Sequence, residues 1–183
     1  MKSYLRNMVA GFVAVVLCMV GLGLVYPASV WAVSRLTAER AEGHVVYDGD
    51  CAVASRLLAD GREGAGWFVG RAPGMTNLGP AAPELTESIG KLKQEIAQRE
   101  GVAEADVPAD AVTGSGSGVD SDISPEYAQL QVPRVARERG MTPDEVAELV
   151  AQATVPRGLG VLGEEVVNVS RLNLSLPGGE RCN

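Results

Sequence analysis

From Asn7 to Ser34 the chain runs through 28 residues without one charged side chain, and this run constrains the fold more than any other feature. Val, Leu, Ala, Gly, Met and Phe dominate Met8 to Val33. At roughly 1.5 Å per residue such a stretch outreaches the roughly 30 Å hydrocarbon core of a bilayer. The expected architecture is a single N-terminal transmembrane helix over residues 8–33, a cytoplasmic N-terminus over 1–7, and a small α+β extramembrane domain over 34–183. A cleaved signal peptide competes with the spanning helix, since Lys2 and Arg6 make a basic start and Val30-Trp31-Ala32 resembles a cleavage site. Against it, a signal's apolar core extends only about 7–15 residues, and Tyr26 and Trp31 sit where an interfacial aromatic belt belongs. Gly11, Ala14, Cys18 and Gly21 are spaced three, four and three apart. They form a small-residue stripe suited to close approach by a partner helix.

Basic residues flank the apolar run evenly, Lys2 and Arg6 before it and Arg35 and Arg40 after it, the latter diluted by Glu39 and Glu42. The short N-terminus and long C-terminal domain place the N-terminus in the cytoplasm and residues 35–183 outside the cell inner (plasma) membrane. Without Lys2 and Arg6 the chain carries 14 basic against 23 acidic residues, a net charge of −9, which argues against a nucleic acid partner and leaves membrane lipid as the first one. Of three cysteines, Cys18 falls in the membrane. Cys51 and Cys182 either pair or remain two free thiols.

Beyond the membrane run, Val45 to Tyr47 and Cys51 to Val53 flank Asp48-Gly49 and predict a short hairpin, with Leu57-Leu58 extending its second strand. Trp67-Phe68-Val69, the densest aromatic spot, is expected in the core. Leu85, Ile89, Leu92 and Ile96 fall at steps of four, three and four and predict an amphipathic helix from Pro83 to Gly101. Ser124-Pro125-Glu126 opens a helix running to Arg139 and stopping at Gly140, with Pro133 expected to kink or divide it. Thr142-Pro143-Asp144-Glu145 reads as a capping box before a helix that buries Val146, Leu149, Val150 and Ala153. Leu159 to Leu162 and Val166 to Val169 read as strand-like pieces, and Leu172, Leu174 and Leu176 end the ordered core.

Catalytic chemistry finds little to work with. Thr113 to Gly118 is rich in glycine, yet no lysine follows as a phosphate loop requires, and a flexible loop is the plainer reading. His44 is the only histidine, which excludes a histidine metal pair and leaves a triad or a histidine general base to be built around it alone; none is expected, nor is a metal site. Asp120 and Asp122 lack the glycine and closing glutamate of a calcium loop and are expected on a solvated turn.

Three sets of residues then carry a resemblance. Asn77-Leu78-Gly79-Pro80, followed by Pro83 and Leu85, is the first. Val112-Thr113-Gly114-Ser115-Gly116-Ser117-Gly118-Val119-Asp120 with Ile123-Ser124-Pro125 is the second. Gln131-Val132-Pro133-Arg134-Val135-Ala136-Arg137 and Gly140, then Leu162-Gly163-Glu164, Val167-Asn168-Val169 and Leu172-Asn173-Leu174, complete them in order. Together they resemble the C subunit of the bacterial potassium-transporting P-type ATPase over nearly the whole chain. The chain departs from that family at Arg71-Ala72-Pro73, where Arg-Pro-Ser is usual, at Gly74-Met75-Thr76, in place of a tyrosine-containing loop, and at Asp60-Gly61-Arg62, in place of a glutamine-containing stretch.

The resemblance implies an accessory, non-catalytic subunit of a high-affinity potassium uptake complex. Its partners would be a potassium-channel-like subunit, a P-type ATPase subunit that hydrolyses ATP, and a small stabilising subunit. The family is described as a catalytic chaperone that raises the ATP affinity of the hydrolysing subunit, which would make Gln131, Ser115 and Ser117 the nucleotide-contacting residues. No cofactor is expected to be held permanently, ATP being met through the partner ATPase subunit. The orientation derived above conflicts with nucleotide contact, because it places these residues outside the cell and the domain as a brace over the potassium entrance. The competing function is a membrane-anchored extracytoplasmic binding module without a transport complex.

Overall fold

The computed structural model describes residues 2–72, 78–79 and 81–182 and divides the chain into two compact units, residues 1–43 and 44–183.

The first unit is a continuous helix from Ser3 to Ala41, with a mean hydropathy of 2.7 over its most apolar window. It extends past the expected 8–33 at both ends. Its parts are α1 (Lys2–Val20), a wide π turn (Gly21–Val25), α2 (Tyr26–Ser34), a 3₁₀ turn (Arg35–Thr37) and α3 (Ala38–Ala41). The π turn has a covalent cause in Pro27, which carries no N–H for the preceding turn. The Tyr26 N–H reaches back five residues to the Gly21 carbonyl, and Ser29 Oγ donates to the Val25 carbonyl at 2.7 Å. Both are means by which a proline is accommodated in a spanning helix. An added Cβ at Gly11 or Gly21 would meet no other atom within 4 Å among the described residues, the helix's own backbone aside. Beyond the apolar run, Arg35 lies 5.7 Å from the Trp31 ring centroid and pairs with Glu42 at 2.8 Å.

The second unit starts with a hairpin, β1 (Val45–Asp48) and β2 (Cys51–Ser55), antiparallel with a bulge between Val46 and Tyr47. Asp48 pairs with Cys51, so the turn is Gly49-Asp50, one residue further than the sequence suggested, with Gly49 alone at positive φ. Leu57 and Leu58 do not extend β2, which ends at Ser55; both are about half exposed.

Helix α4 (Pro83–Glu100) ends where Gly101 turns left-handed. Its stripe is fully buried only at Ile96, while Leu85, Ile89 and Leu92 remain partly covered. Helix α5 (Pro125–Arg139) is capped by Ser124, whose Oγ accepts from the Tyr127 N–H at 3.0 Å. Pro133 does not divide α5: it and Gln129, whose carbonyl it leaves unpaired, are both on the exposed face, where water can take the free acceptor. Helix α6 (Pro143–Ala153) has the full capping box of Thr142 and Glu145. Glu145 gains stability from it, the Thr142 backbone N–H and hydroxyl holding its carboxyl below its ordinary pKa.

A second sheet, ordered β3-β5-β4, joins β3 (Asp122–Ile123), β5 (Val166–Asn168) and β4 (Thr154–Val155), all antiparallel. Helix α7 (Val169–Ser175) follows and buries Leu172 and Leu174, with Leu176 closing the core just beyond it. The expected strand at Leu159 to Leu162 is instead a tight loop closed by an isolated bridge between Gly158 and Leu162. Three glycines within Gly158 to Gly163 favour the turn over an extended strand.

Candidate functional site

Residues 60–71 have no regular secondary structure, yet Trp67 and Phe68 are core residues. Backbone groups buried without a ladder must find other partners. Here they find side chains from α5 and α7. Asn173 accepts from the Phe68 N–H at 2.8 Å and donates to its carbonyl at 2.9 Å, mimicking a neighbouring strand. Gln131 does the same for Val69, accepting at 2.8 Å and donating at 3.0 Å. Arg134 donates to the Trp67 carbonyl at 2.9 Å, to the Ala65 carbonyl, and to Gln131 Oε1 at 2.7 Å.

Charges buried here are paired. The Glu100 carboxylate, 0% exposed, lies 2.9 Å from Arg134 and 2.6 Å from Arg99. Arg99 also donates to the Tyr127 hydroxyl at 2.9 Å. Burial is the main cause that raises the Tyr127 pKa above 10, partly offset by the Arg99 charge. On the other flank, Arg62 and Asp60 form a nearly buried ion pair at 2.6 Å, and Asp60 accepts from Asn173 at 3.0 Å. The departure at Asp60-Gly61-Arg62 is thus built into the same network.

Two guanidinium groups lie over the Trp67 ring, Arg139 at 3.6 Å and Arg62 at 4.5 Å from its centroid. Both arginines are steered there by tail carbonyls: Arg62 donates to Gly179 at 2.6 Å and Arg139 to Pro177 at 3.0 Å. Arg139 also donates to the Gly66 carbonyl at 2.7 Å; a Cβ at Gly66 would lie only 3.0 Å from Arg139 Nε, so glycine permits the contact. Burial and the nearby Arg62 charge lower the Arg139 pKa.

At its far end the segment meets the serine–glycine loop. Arg71 donates to the carbonyls of Thr113 (3.1 Å) and Gly114 (3.3 Å) and pairs with Asp120 at 3.1 Å. Ser115 is buried, with its Oγ 3.4 Å from that of Ser117, which in turn accepts from the Val119 N–H at 3.2 Å. The loop expected to be flexible is held by Arg71 and its own serines. Asp122 is no solvated decoration either, since it pairs in β3 and accepts from Asn168 at 2.9 Å.

Of the residues singled out in the sequence, Gln131, Arg134 and Asn173 converge on residues 65–69, and Gly114 and Asp120 on Arg71. Gln131 is 0% exposed. Asn168 stands apart, capping α7 and tying β5 to Ser121 at 2.9 Å. Gly116 and Gly118 lie within the loop, Gly118 at positive φ, and Pro133 on the exposed face of α5. Gly79 is followed by a turn in which the Ala82 N–H donates to its carbonyl at 2.9 Å. Asn77, Pro80 and the departures at Gly74 to Thr76 lie outside the described residues. Sequence reading missed Glu100, Arg99 and Arg139, and marked Arg62 only as part of a departure from the family. A signal existed in Gln131 and Arg134, polar residues three apart on the same stripe as Tyr127, Ala128 and Val135, where a simple amphipathic helix carries apolar ones. Among the described residues no group of three His, Cys, Asp or Glu is placed to hold a metal.

Comparison with known proteins follows the same outline. The profile of the family described as "KdpC: K+-transporting ATPase, c chain" matches residues 8–177. A potassium-transporting ATPase KdpC subunit from Kineococcus radiotolerans is 42% identical over 96% of this chain and 95% of its own length. Subunits of the same name from Polynucleobacter asymbioticus and Burkholderia orbicola are 36% and 35% identical, covering 97% and 100% of this chain and the whole of each relative. A long apolar helix, a small α+β domain and a match along nearly all of both place the chain in the KdpC family, the c chain of the K+-transporting ATPase.

Proposed function

We propose that this chain is the accessory, non-hydrolysing subunit of a potassium-transporting ATPase, anchored by its one apolar helix with the N-terminus in the cytoplasm and the folded domain outside the inner membrane. There it braces the assembly near the potassium entrance, beside a potassium-channel-like subunit, the ATP-hydrolysing subunit and a small stabilising subunit. The observation that carries the orientation is the disulfide between Cys51, at the end of the hairpin turn, and Cys182 in the tail, 131 residues apart. Disulfides persist in oxidising compartments and are rare in a reducing cytoplasm. An outside domain does not meet cytoplasmic ATP, and the inward use of Gln131 and Ser115 agrees with that. Its net negative charge supplies a weak attraction for cations at the outer face.

Thiol labelling in intact cells tests the orientation. Cys51 and Cys182 should react with an impermeant maleimide only after an impermeant reductant is added, with no need to permeabilise the membrane. Labelling that demands permeabilisation would place the domain in the cytoplasm. On this reading any effect on ATP affinity travels through the assembly. Ser117→Ala, a change on an exposed local turn, should therefore leave the complex's apparent ATP affinity unchanged, and a clear loss would favour direct nucleotide contact.

A further inference from the structure

Residues 156–165 connect β4 to β5 and present apolar side chains outward instead of packing them. Leu159 is 92% exposed, more than any other large apolar side chain among the described residues, with Val161 at 76% and Leu162 at 62%. The loop is nonetheless well organised. Gly158 and Leu162 exchange two backbone hydrogen bonds of 2.8 Å, the Gly160 N–H donates to the Arg157 carbonyl at 3.1 Å, and the Val161 N–H to the Gly158 carbonyl at 3.1 Å. Leu159 itself sits at φ 52°, a left-handed conformation that a branched, bulky residue adopts only under constraint. A loop that needed only to turn would place glycine there, as it does at Gly160 and Gly163.

From these observations we infer that the Leu159-Val161-Leu162 tip is a preformed plug for an apolar pocket, rimmed by basic residues, on another chain of the ATPase assembly. The inference rests on the subunit reading above. A rigid turn loses little conformational entropy on docking, and a small apolar cluster in a desolvated pocket is the usual energetic centre of an interface. The bilayer surface is the rival occupant, and charge argues against it. Membrane-binding loops combine Lys or Arg with Trp or Phe, whereas residues 155–165 contain one Arg157, two carboxylates at Glu164 and Glu165, and no aromatic. The two carboxylates instead suit a basic rim on a protein partner.

The test uses the full-length chain in its assembly, purified in mild detergent, with a photo-crosslinking residue at position 159 and, separately, the double variant Leu159→Asp with Val161→Asp. The photo-crosslinker should capture a different chain of the complex. The double variant should lower partner recovery by about tenfold or more while leaving the chain's own thermal unfolding in place, since both side chains are exposed. Crosslinks only to lipid or to a second copy, or full partner recovery by the double variant, would overturn the inference and leave the subunit reading standing. Failure of the wild-type chain to retain any partner would overturn both.

Discussion

Residues 60–71 and 156–165 are both glycine-containing segments without regular secondary structure, and they solve the same problem in opposite ways. The first satisfies its backbone with side chains brought from far along the chain: Asn173, Gln131, Arg134 and Arg139. Its own aromatics are thereby freed to enter the core. The second satisfies its backbone by itself, through the Gly158–Leu162 exchange, and leaves its apolar side chains outside. An irregular segment clamped by others becomes part of the fold, and one that closes on itself can be spared for a partner. Stability should therefore concentrate in the first and be nearly absent from the second.

Arg134→Ala should have the largest effect. It leaves Glu100 buried with Arg99 as its only ion-pair partner among the described residues and frees the carbonyls of Ala65 and Trp67. Breaking a buried, hydrogen-bonded pair costs about 3–5 kcal/mol, measurable by denaturant unfolding of the full-length chain in detergent. An effect as small as that of a surface residue would break the contrast between the two segments.

Replacing Cys51 and Cys182 together by serine should come next, at about 2–5 kcal/mol for a long closed loop. The link ties the hairpin to the tail whose Pro177 and Gly179 carbonyls steer Arg139 and Arg62 onto Trp67. Reduction of the wild type should match the double variant.

Tyr127→Phe should act chiefly through pH. It removes one hydrogen bond to Arg99, about 0.5–1.5 kcal/mol at neutral pH. In the wild type, burial raises the Tyr127 pKa above its unfolded value of 10. The folded state then holds the proton more tightly, so its contribution is whole below pH 10 and is lost as pH rises through the folded value. The phenylalanine variant should lose that share of alkaline sensitivity, so the gap between the two chains should narrow above pH 10.

The smallest effect belongs to Leu159→Ser, within about 0.5 kcal/mol as for an exposed site. A destabilisation of several times that would show the tip to be packed against the chain itself.

These predictions also mark what the sequence made legible. The spanning helix, α4, α5 and α6 were readable because their signals are local: an uncharged run, a stripe at helical spacing, and caps at Ser124 and Thr142 followed by stops at Gly101 and Gly140. The clamp was not, because its partners are separated by 62 residues for Gln131 and Val69 and by 105 for Asn173 and Phe68. Residue type alone does not say which distant carbonyl an amide will hold. Family resemblance marked Gln131, Arg134 and Asn173 as important, and the Gln131 for which it suggested a nucleotide role is a buried side chain bonded to Val69 and Arg134. Leu159 to Leu162 read as a strand because three of its four residues are apolar and branched, and Gly160 within it with Gly158 and Gly163 on its flanks decided otherwise.

Affinity purification of the tagged chain in mild detergent from potassium-starved cells, with mass spectrometry of whatever accompanies it, decides whether this chain works within a transport complex. The subunit reading predicts recovery of an ATP-hydrolysing P-type chain together with a large multi-span chain. Recovery of this chain alone, under conditions that keep it folded and disulfide-bonded, would contradict it and leave a membrane-anchored binding module in its place.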